Sequence, residues 1–262
     1  MTPWQDPLRL SLDGLVLKAG ERTLLQGLRL ELAAGQRWVV LGPNGAGKST
    51  LIATLAGLLR PAGGRLNLQG RALHDWPLPA LAPWRAWCPP GWSDPFPLRV
   101  DEALFAVAQA RGDDAATAEA RLADLLRRFD LQALAAHDVG RLSSGERQRV
   151  ALCAALMQDA PLLLLDEPSA HLDLAHQQLL VAALVAHAAR GGLVVASLHD
   201  LNLAWSLATH ALLFDGKGEL WAGPREQVMT PPHLGLAFDV PIAEVEVCGE
   251  RRFWIGSAKE AA

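Results

Sequence analysis

Basic residues are in short supply. The 262-residue chain sets 24 Lys and Arg against 28 Asp and Glu, a formal net charge of −4, so it lacks the positive field that nucleic-acid binding needs, and no nucleic-acid partner is expected. Cysteine is equally scarce. Cys88, Cys153 and Cys248 are odd in number and far apart, which excludes a disulfide framework or a zinc cluster of ordinary spacing and makes a reducing cytosol the simplest home. No apolar run approaches the roughly 20 residues of a membrane-spanning helix; Leu179 to Ala186 falls far short. The opening residues Met1 to Asp6 show no charged segment leading into an apolar core, so no secretory signal is expected. Any work at a membrane then has to pass through a partner. What the chain does have is apolar material: half of its residues are hydrophobic, enough for one large domain or two small ones.

The stretch Gly42-Pro43-Asn44-Gly45-Ala46-Gly47-Lys48-Ser49-Thr50 fits G-x-x-x-x-G-K-[ST]. Its flanks matter as much as its letters. Arg37 to Leu41 before it reads as a buried strand and Ser49 to Leu59 after it as a helix, the strand, loop and helix order that separates a phosphate-binding loop from a chance glycine-rich turn. Gly42, Gly45 and Gly47 let successive backbone N–H groups turn inward toward phosphate oxygens, and the helix adds its positive end. Lys48 is expected on the β- and γ-phosphates of ATP, and Ser49 on a Mg²⁺ that bridges them.

In chain order, Leu8 to Leu17 and Leu24 to Ala33 alternate with period two around a turn at Gly20-Glu21-Arg22 and predict an antiparallel pair. Arg65 to Gly70 predicts a short strand, and the seven prolines from Pro77 to Pro97 a loop-rich crossing. From Val100 to about Gln158 the pattern turns helical, with Leu122, Leu125, Leu126 and Phe129 on one face and polar breaks at Gly112 to Thr117 and at Asp138-Val139-Gly140. Leu162 to Leu165 and Leu193 to Ser197 are continuous apolar runs of the buried parallel kind, separated by a helix from Leu174 to Arg190. Hairpins are expected at Ala211 to Ala222 and, past a short helical pair, at Glu244 to Ile255. The fold class is therefore α/β: a P-loop core with a mostly parallel sheet, an N-terminal antiparallel β part and an inserted α-helical subdomain.

Four further motifs complete a constellation. Asp166-Glu167 ends the four-leucine strand, where one carboxylate can hold Mg²⁺ and the other can take a proton from an attacking water. Leu142-Ser143-Ser144-Gly145-Glu146 opens a helix as a capping box, Ser143 capping and Glu146 at the third helical position. Ser169 to Asp173 follows the acidic pair, and Ser197-Leu198-His199-Asp200 ends the next strand. Together these stretches resemble, over about 8–255, the ATP-binding cassette of ABC transporters. Asp166-Glu167 is similar to Walker B and its catalytic acid, 142–146 to the LSGGQ signature, 169–173 to the D-loop, and His199 to the switch histidine. The resemblance implies that Glu167, His199 and Lys48 are catalytic, that Ser49 and Asp166 hold Mg²⁺, and that Ser143, Ser144, Gly145, Glu146 and Asp173 act across a dimer interface on nucleotide held by a second copy. It divides the chain into a RecA-like core with its antiparallel part (about 8–98 and 159–222), a helical subdomain (about 99–158) and a C-terminal piece (about 223–262).

Asp173-Leu174-Ala175-His176-Gln177 and Val228 to Pro232 look most like the ATPase subunits of importers for metal chelates: ferric siderophores, haem and cobalamin. That likeness implies a homodimer bound to integral membrane permease subunits at the cytoplasmic face of the inner membrane, served by a separate substrate-binding protein. The single signature and the lack of a basic arm or long heptads set aside the translation-factor and chromosome-associated relatives. His171, His176 and His187 lack a supporting cysteine or a second carboxylate cluster and read as surface residues, not a metal site.

Two departures from the family pattern stand out. The place of the adenine-stacking aromatic holds Ala19, and the chain has no tyrosine at all, a loss on the order of 1–3 kcal/mol by analogy with base stacking. The Q-loop glutamine is missing from Trp87 to Asp94, leaving Ser93 or Asp94 as substitute oxygen ligands, and 89–99 is the expected docking stretch for the membrane partner. Ser144 and Glu146 replace a glycine and a glutamine of the usual signature. A soluble or regulatory cassette protein with weak ATPase activity is the alternative that these departures motivate.

Overall fold

The computed structural model describes residues 4, 6–91 and 97–256. In chain order its elements are β1 (Arg9–Ala19), β2 (Arg22–Ala33), β3 (Arg37–Leu41), α1 (Lys48–Leu55), β4 (Gly63–Leu68), β5 (Arg71–Ala72), α2 (Leu78–Leu81), β6 (Arg85–Cys88), α3 (Val100–Arg111), α4 (Ala115–Arg128) and α5 (Ser144–Met157). There follow β7 (Leu162–Leu165), α6 (Leu174–Ala189), β8 (Leu193–Ser197), α7 (Leu201–Leu207), β9 (His210–Phe214), β10 (Leu220–Pro224), α8 (Arg225–Val228), α9 (Pro231–Phe238), β11 (Ile242–Val247) and β12 (Glu250–Ile255).

The central sheet has the order β10-β9-β3-β8-β7-β6, parallel from β9 to β6, with β10 antiparallel at one edge. Its inner strands β9, β3, β8 and β7 are buried on both faces, and their side chains alternate between two cores. Trp38, Val40, Leu162, Leu164, Leu193 and Val195 join the core shared with β1, β2 and α1. Val39, Leu41, Leu163, Leu165, Val194 and Ala196 join the core shared with α3 to α7. This is why Leu162 to Leu165 can be an unbroken run: period two places successive leucines in different cores. The second sheet, β2-β1-β4-β5, is antiparallel and half exposed, in keeping with the alternating pattern of β1.

Local chemistry explains most helix limits. Asp114 caps α4, accepting from the Thr117 amide at 2.9 Å, so Ala115 to Thr117 belong to the helix and the sequence-expected break shrinks to 112–114. α5 starts at Ser144, three residues before the expected Arg147, because the capping box is complete: the Glu146 amide donates to Ser143 Oγ (3.3 Å) and the Ser143 amide to Glu146 Oε2 (2.7 Å). α1 ends at Leu55 and not at Leu59. The proline-rich crossing contains a true strand, β6, whose pairing with β7 supplies what its composition conceals. Prolines flank that strand and are absent from within it.

The terminal hairpin β11–β12 is tied to α7. Asn202 holds the Phe253 backbone twice, accepting at 2.8 Å and donating at 3.2 Å, while Arg225 and Arg251 both lie over the Trp205 ring. A second tie joins helices from different parts of the chain. Asp159, just before β7, takes ion pairs from Arg111 at the end of α3, Arg121 of α4 and Arg190 after α6, at 2.9, 3.2 and 2.9 Å.

Candidate nucleotide-binding site

The parallel order brings the carboxyl ends of β3, β8 and β7 to one edge, where open α/β sheets place their ligand sites. The P-loop leaves β3 at Gly42, whose φ is 138° and where a Cβ would stand 2.6 Å from the Phe214 carbonyl oxygen. No other residue type fits there. Lys48 opens α1, is 5% exposed, and donates from Nζ to the carbonyls of Gly42 (2.9 Å) and Pro43 (3.1 Å). Burial lowers its pKa, and the charges of Glu167 and Asp166 work against that shift, which places both carboxylates within electrostatic reach of the ammonium.

A cleft of about 250 Å³ lies over the loop, lined by Asn44, Lys48, Ser49 and Thr50, by Glu167 on one side and by the β1–β2 turn on the other. Asp166 and Glu167 are set by one hydroxyl of the neighbouring strand. Ser197 Oγ donates to Asp166 Oδ1 (2.6 Å) and accepts from the Glu167 amide (2.7 Å), and the Asp166 amide donates to the Cys88 carbonyl (2.9 Å). Glu167 has φ 51°, a left-handed backbone that costs a residue with Cβ on the order of 1–2 kcal/mol and that the Ser197 bond helps to hold. Its Oε1 accepts from His199 Nε2 at 2.7 Å. Lys48 and Glu167 thus line the cleft, and Asp166 and His199 join them through Ser197 and through Glu167 itself.

Ser143, Ser144, Gly145 and Glu146 lie elsewhere: none of them lines the cleft of their own chain. Their turn rests on the segment after Glu167. Gly145 lies against the His171 carbonyl, and Gln148, 2% exposed, donates to the Pro168 carbonyl at 3.3 Å. Asp173 caps α6, accepting from the His176 amide and from His176 Nδ1, both at 2.8 Å. Arg149 Nη1 meets His176 Nε2 at 3.0 Å, and since a guanidinium only donates, the ring accepts at Nε2 and donates from Nδ1. Arg149 also donates to the Phe129 carbonyl at the end of α4 (2.8 Å).

Three features of the site escape sequence reasoning. Ser197 is visible only as a strand residue two before His199; Arg22, which lines the cleft, reads as a turn; and the Arg149–His176 link depends on packing between α5 and α6. The surface reading of His187 is corrected. It is 3% exposed, faces Gly192 and the Pro161 carbonyl, and burial pulls its pKa down to about 4. Trp92, Ser93, Asp94, Pro95 and Phe96, with the proposed substitute ligands among them, lie outside the described residues.

A family model described as ABC transporter matches residues 25–170. The chain belongs to the ABC transporter family. Hemin import ATP-binding protein HmuV of Streptomyces coelicolor is 40% identical over 231 residues, 87% of this chain and 82% of the relative. HmuV of Pseudomonas entomophila is 40% identical over 243 residues, 89% and 93% of the two chains. Among solved structures, an ATP-binding subunit of an ABC transporter superposes with TM-score 0.77 at 26% identity, covering 87% of this chain and 94% of that one. A transporter described as of the metal-chelate type, in an inward-facing conformation, gives TM-score 0.80 at 24% identity over 96% and 98%, which bears on the fold alone. Family membership carries ATP binding and hydrolysis to this cassette.

Proposed function

We propose that the chain is the ATP-hydrolysing subunit of an importer for a metal chelate, haem foremost, with cobalamin and ferric siderophores as the other members of that class. The relatives named for hemin import support the cargo. The observation that carries the chemistry is the chain of bonds His199–Glu167–Ser197–Asp166 at the ends of β7 and β8.

In this reading Glu167 Oε1 accepts a proton from the water that attacks the γ-phosphate, and His199 holds that carboxylate in place while its ring faces the same phosphate. Lys48 places its charge on the β- and γ-oxygens, and the loop N–H groups bind the remainder. The residues fit a magnesium ion. Mg²⁺ takes one or two protein oxygens and completes its shell with phosphate and water, which the Ser49 hydroxyl and the Asp166 carboxylate would supply; no cluster of three or more His, Cys, Asp or Glu exists among the described residues. Bound there, the ion would neutralise charge on the phosphates.

Because the signature turn does not line its own cleft, the reading pairs two copies head to tail, each presenting the N-terminus of α5 and Asp173 to nucleotide on the other. No helix among the described residues is long and apolar enough to cross a membrane. Integral permease subunits would carry the pore, with the cassette at the cytoplasmic face and a separate binding protein delivering cargo. Docking through 89–99 belongs to the same proposal.

Gel filtration and phosphate release on the wild type and Glu167→Gln, with ATP and Mg²⁺, test the ATPase. The expected result is an ATP-dependent dimer trapped by the variant with hydrolysis lost. Monomers in both, without turnover even beside the membrane subunits, would overturn it. For the cargo, ATP-driven hemin uptake by the assembled transporter in vesicles is expected; uptake of neither hemin, cobalamin nor ferric siderophore would refute the chelate assignment.

A further inference from the structure

One end of the cleft is formed by the β1–β2 turn, where Ala19 pairs with Arg22, and Leu24 follows. No residue lining the cleft is aromatic. One flat, delocalised group is present there, the guanidinium of Arg22, and it is not free to wander. Its Nη2 donates to the Gly216 carbonyl at 2.9 Å, a contact reaching from the β1–β2 turn to the β9–β10 turn. Gly216 in turn sits against Pro43 of the P-loop, where an added Cβ would lie 2.9 Å from the proline ring. Arg22, Gly216 and Pro43 therefore make a wall beside the phosphate loop, and Ala19 and Leu24 line the cleft with Arg22.

Resting on the ATP-binding reading of this cleft, we propose that Arg22 is the platform for the nucleotide base, its guanidinium stacking on the purine in place of an aromatic ring. A guanidinium stacks on π-faces, and its single planar fork can keep one N–H on the Gly216 carbonyl while its face meets the base. A methyl group at Ala19 offers no such face. The contact reads the π-surface and not the hydrogen-bonding edge, so ATP and GTP are held with similar strength. Lysine cannot replace it, since an ammonium supplies the charge without the plane.

Charge alone is the competing explanation, because Arg22 lines the same cleft as Lys48, and the probes separate the two. Equilibrium binding of ATP, GTP and inorganic tripolyphosphate, each with Mg²⁺, is measured calorimetrically on the wild type, Arg22→Ala, Arg22→Lys and the double variant Arg22→Ala/Ala19→Trp. The expected result is that Arg22→Ala and Arg22→Lys each weaken ATP and GTP roughly fivefold, as loss of one exposed cation–π contact does, while tripolyphosphate binds all four proteins alike. The tryptophan of the double variant restores the nucleotides. Unchanged ATP affinity in Arg22→Ala, or tripolyphosphate weakened in parallel with ATP, would overturn the proposal. Equal tripolyphosphate binding shows that the variants are folded. A wild type that binds neither ATP nor tripolyphosphate would instead sink the nucleotide-site reading itself.

Discussion

A methyl group on Gly145 would stand 2.7 Å from the carbonyl oxygen of His171. The start of α5 and the segment after Glu167 thus lie against one another within one chain, a contact that Gln148 and the Pro168 carbonyl reinforce. Helix propensity favours alanine over glycine by about 1 kcal/mol, yet here the clash is with backbone, and overpacking costs about 1–3 kcal/mol. Gly145→Ala is expected to be neutral to destabilising by up to about 2 kcal/mol in urea unfolding and to lower hydrolysis, while ATP binding at the P-loop survives. A clear stabilisation with full activity would show that the two segments are not coupled.

Ser197 is fully buried and serves two partners, the Asp166 carboxylate and the Glu167 amide. Ser197→Ala orphans both, at a cost of about 1–3 kcal/mol, and leaves the left-handed Glu167 less constrained. Thermal unfolding and phosphate release should both fall. His199→Ala should reduce phosphate release with little change in melting temperature, since the Glu167–His199 pair is partly exposed.

His187 carries a pH signature. Its folded pKa, about 4, lies below the ordinary histidine value of 6.5 because burial disfavours the cation. The unfolded chain therefore binds the extra proton first, so the stability that this group contributes is complete above pH 6.5 and is lost as pH falls toward 4, by about 3 kcal/mol in total. Chemical denaturation of wild type and His187→Gln across pH 4 to 7 checks this: the stability of the wild type relative to the variant should rise on going up in pH and level off above 6.5.

The thiols divide by exposure. Burial pushes Cys88 up to about 12 and Cys153 higher still, whereas Cys248 is exposed at the β11–β12 turn. A maleimide should label one site per native chain, mapped by mass spectrometry to Cys248, and all three after denaturation. Native labelling of Cys88 would contradict the β6–β7 packing.

Asp159 is 10% exposed in its side chain and gathers three arginines. Burial pushes its carboxyl up, but the Arg190 hydrogen bond and the charges of Arg121 and Arg111 outweigh it and leave the pKa below the ordinary range. Asp159→Asn should cost on the order of 3 kcal/mol, because three cations lose their common partner, and the loss should lessen in high salt. Equilibrium unfolding at two salt concentrations reads both effects.

Much of this was legible in the letters. Lys48, Asp166 and Glu167 sit at strand ends whose apolar runs announce buried parallel strands, and Ser143 with Glu146 spells out the cap that α5 uses. What could not be read depends on neighbours far along the chain. β6 hides between prolines until β7 pairs with it; Ser197 gains its meaning only from Asp166 one strand away; His187 looks like a surface residue of an amphipathic helix until Gly192 and Pro161 close over it. Local rules find elements and caps, and packing decides which polar side chains become partners.

The strand order has a consequence for tolerance to change. β8 lies between β3 and β7, so the phosphate-holding loop and the proton-accepting carboxylate stand two strand spacings apart, about 10 Å, a gauge fixed by main-chain hydrogen bonds and indifferent to side-chain identity. Residues outside this sheet, such as Ala19, Ser144 and Glu146, can drift without moving either jaw. The working gap of this machine is set by its backbone, which leaves the rims free to be retuned.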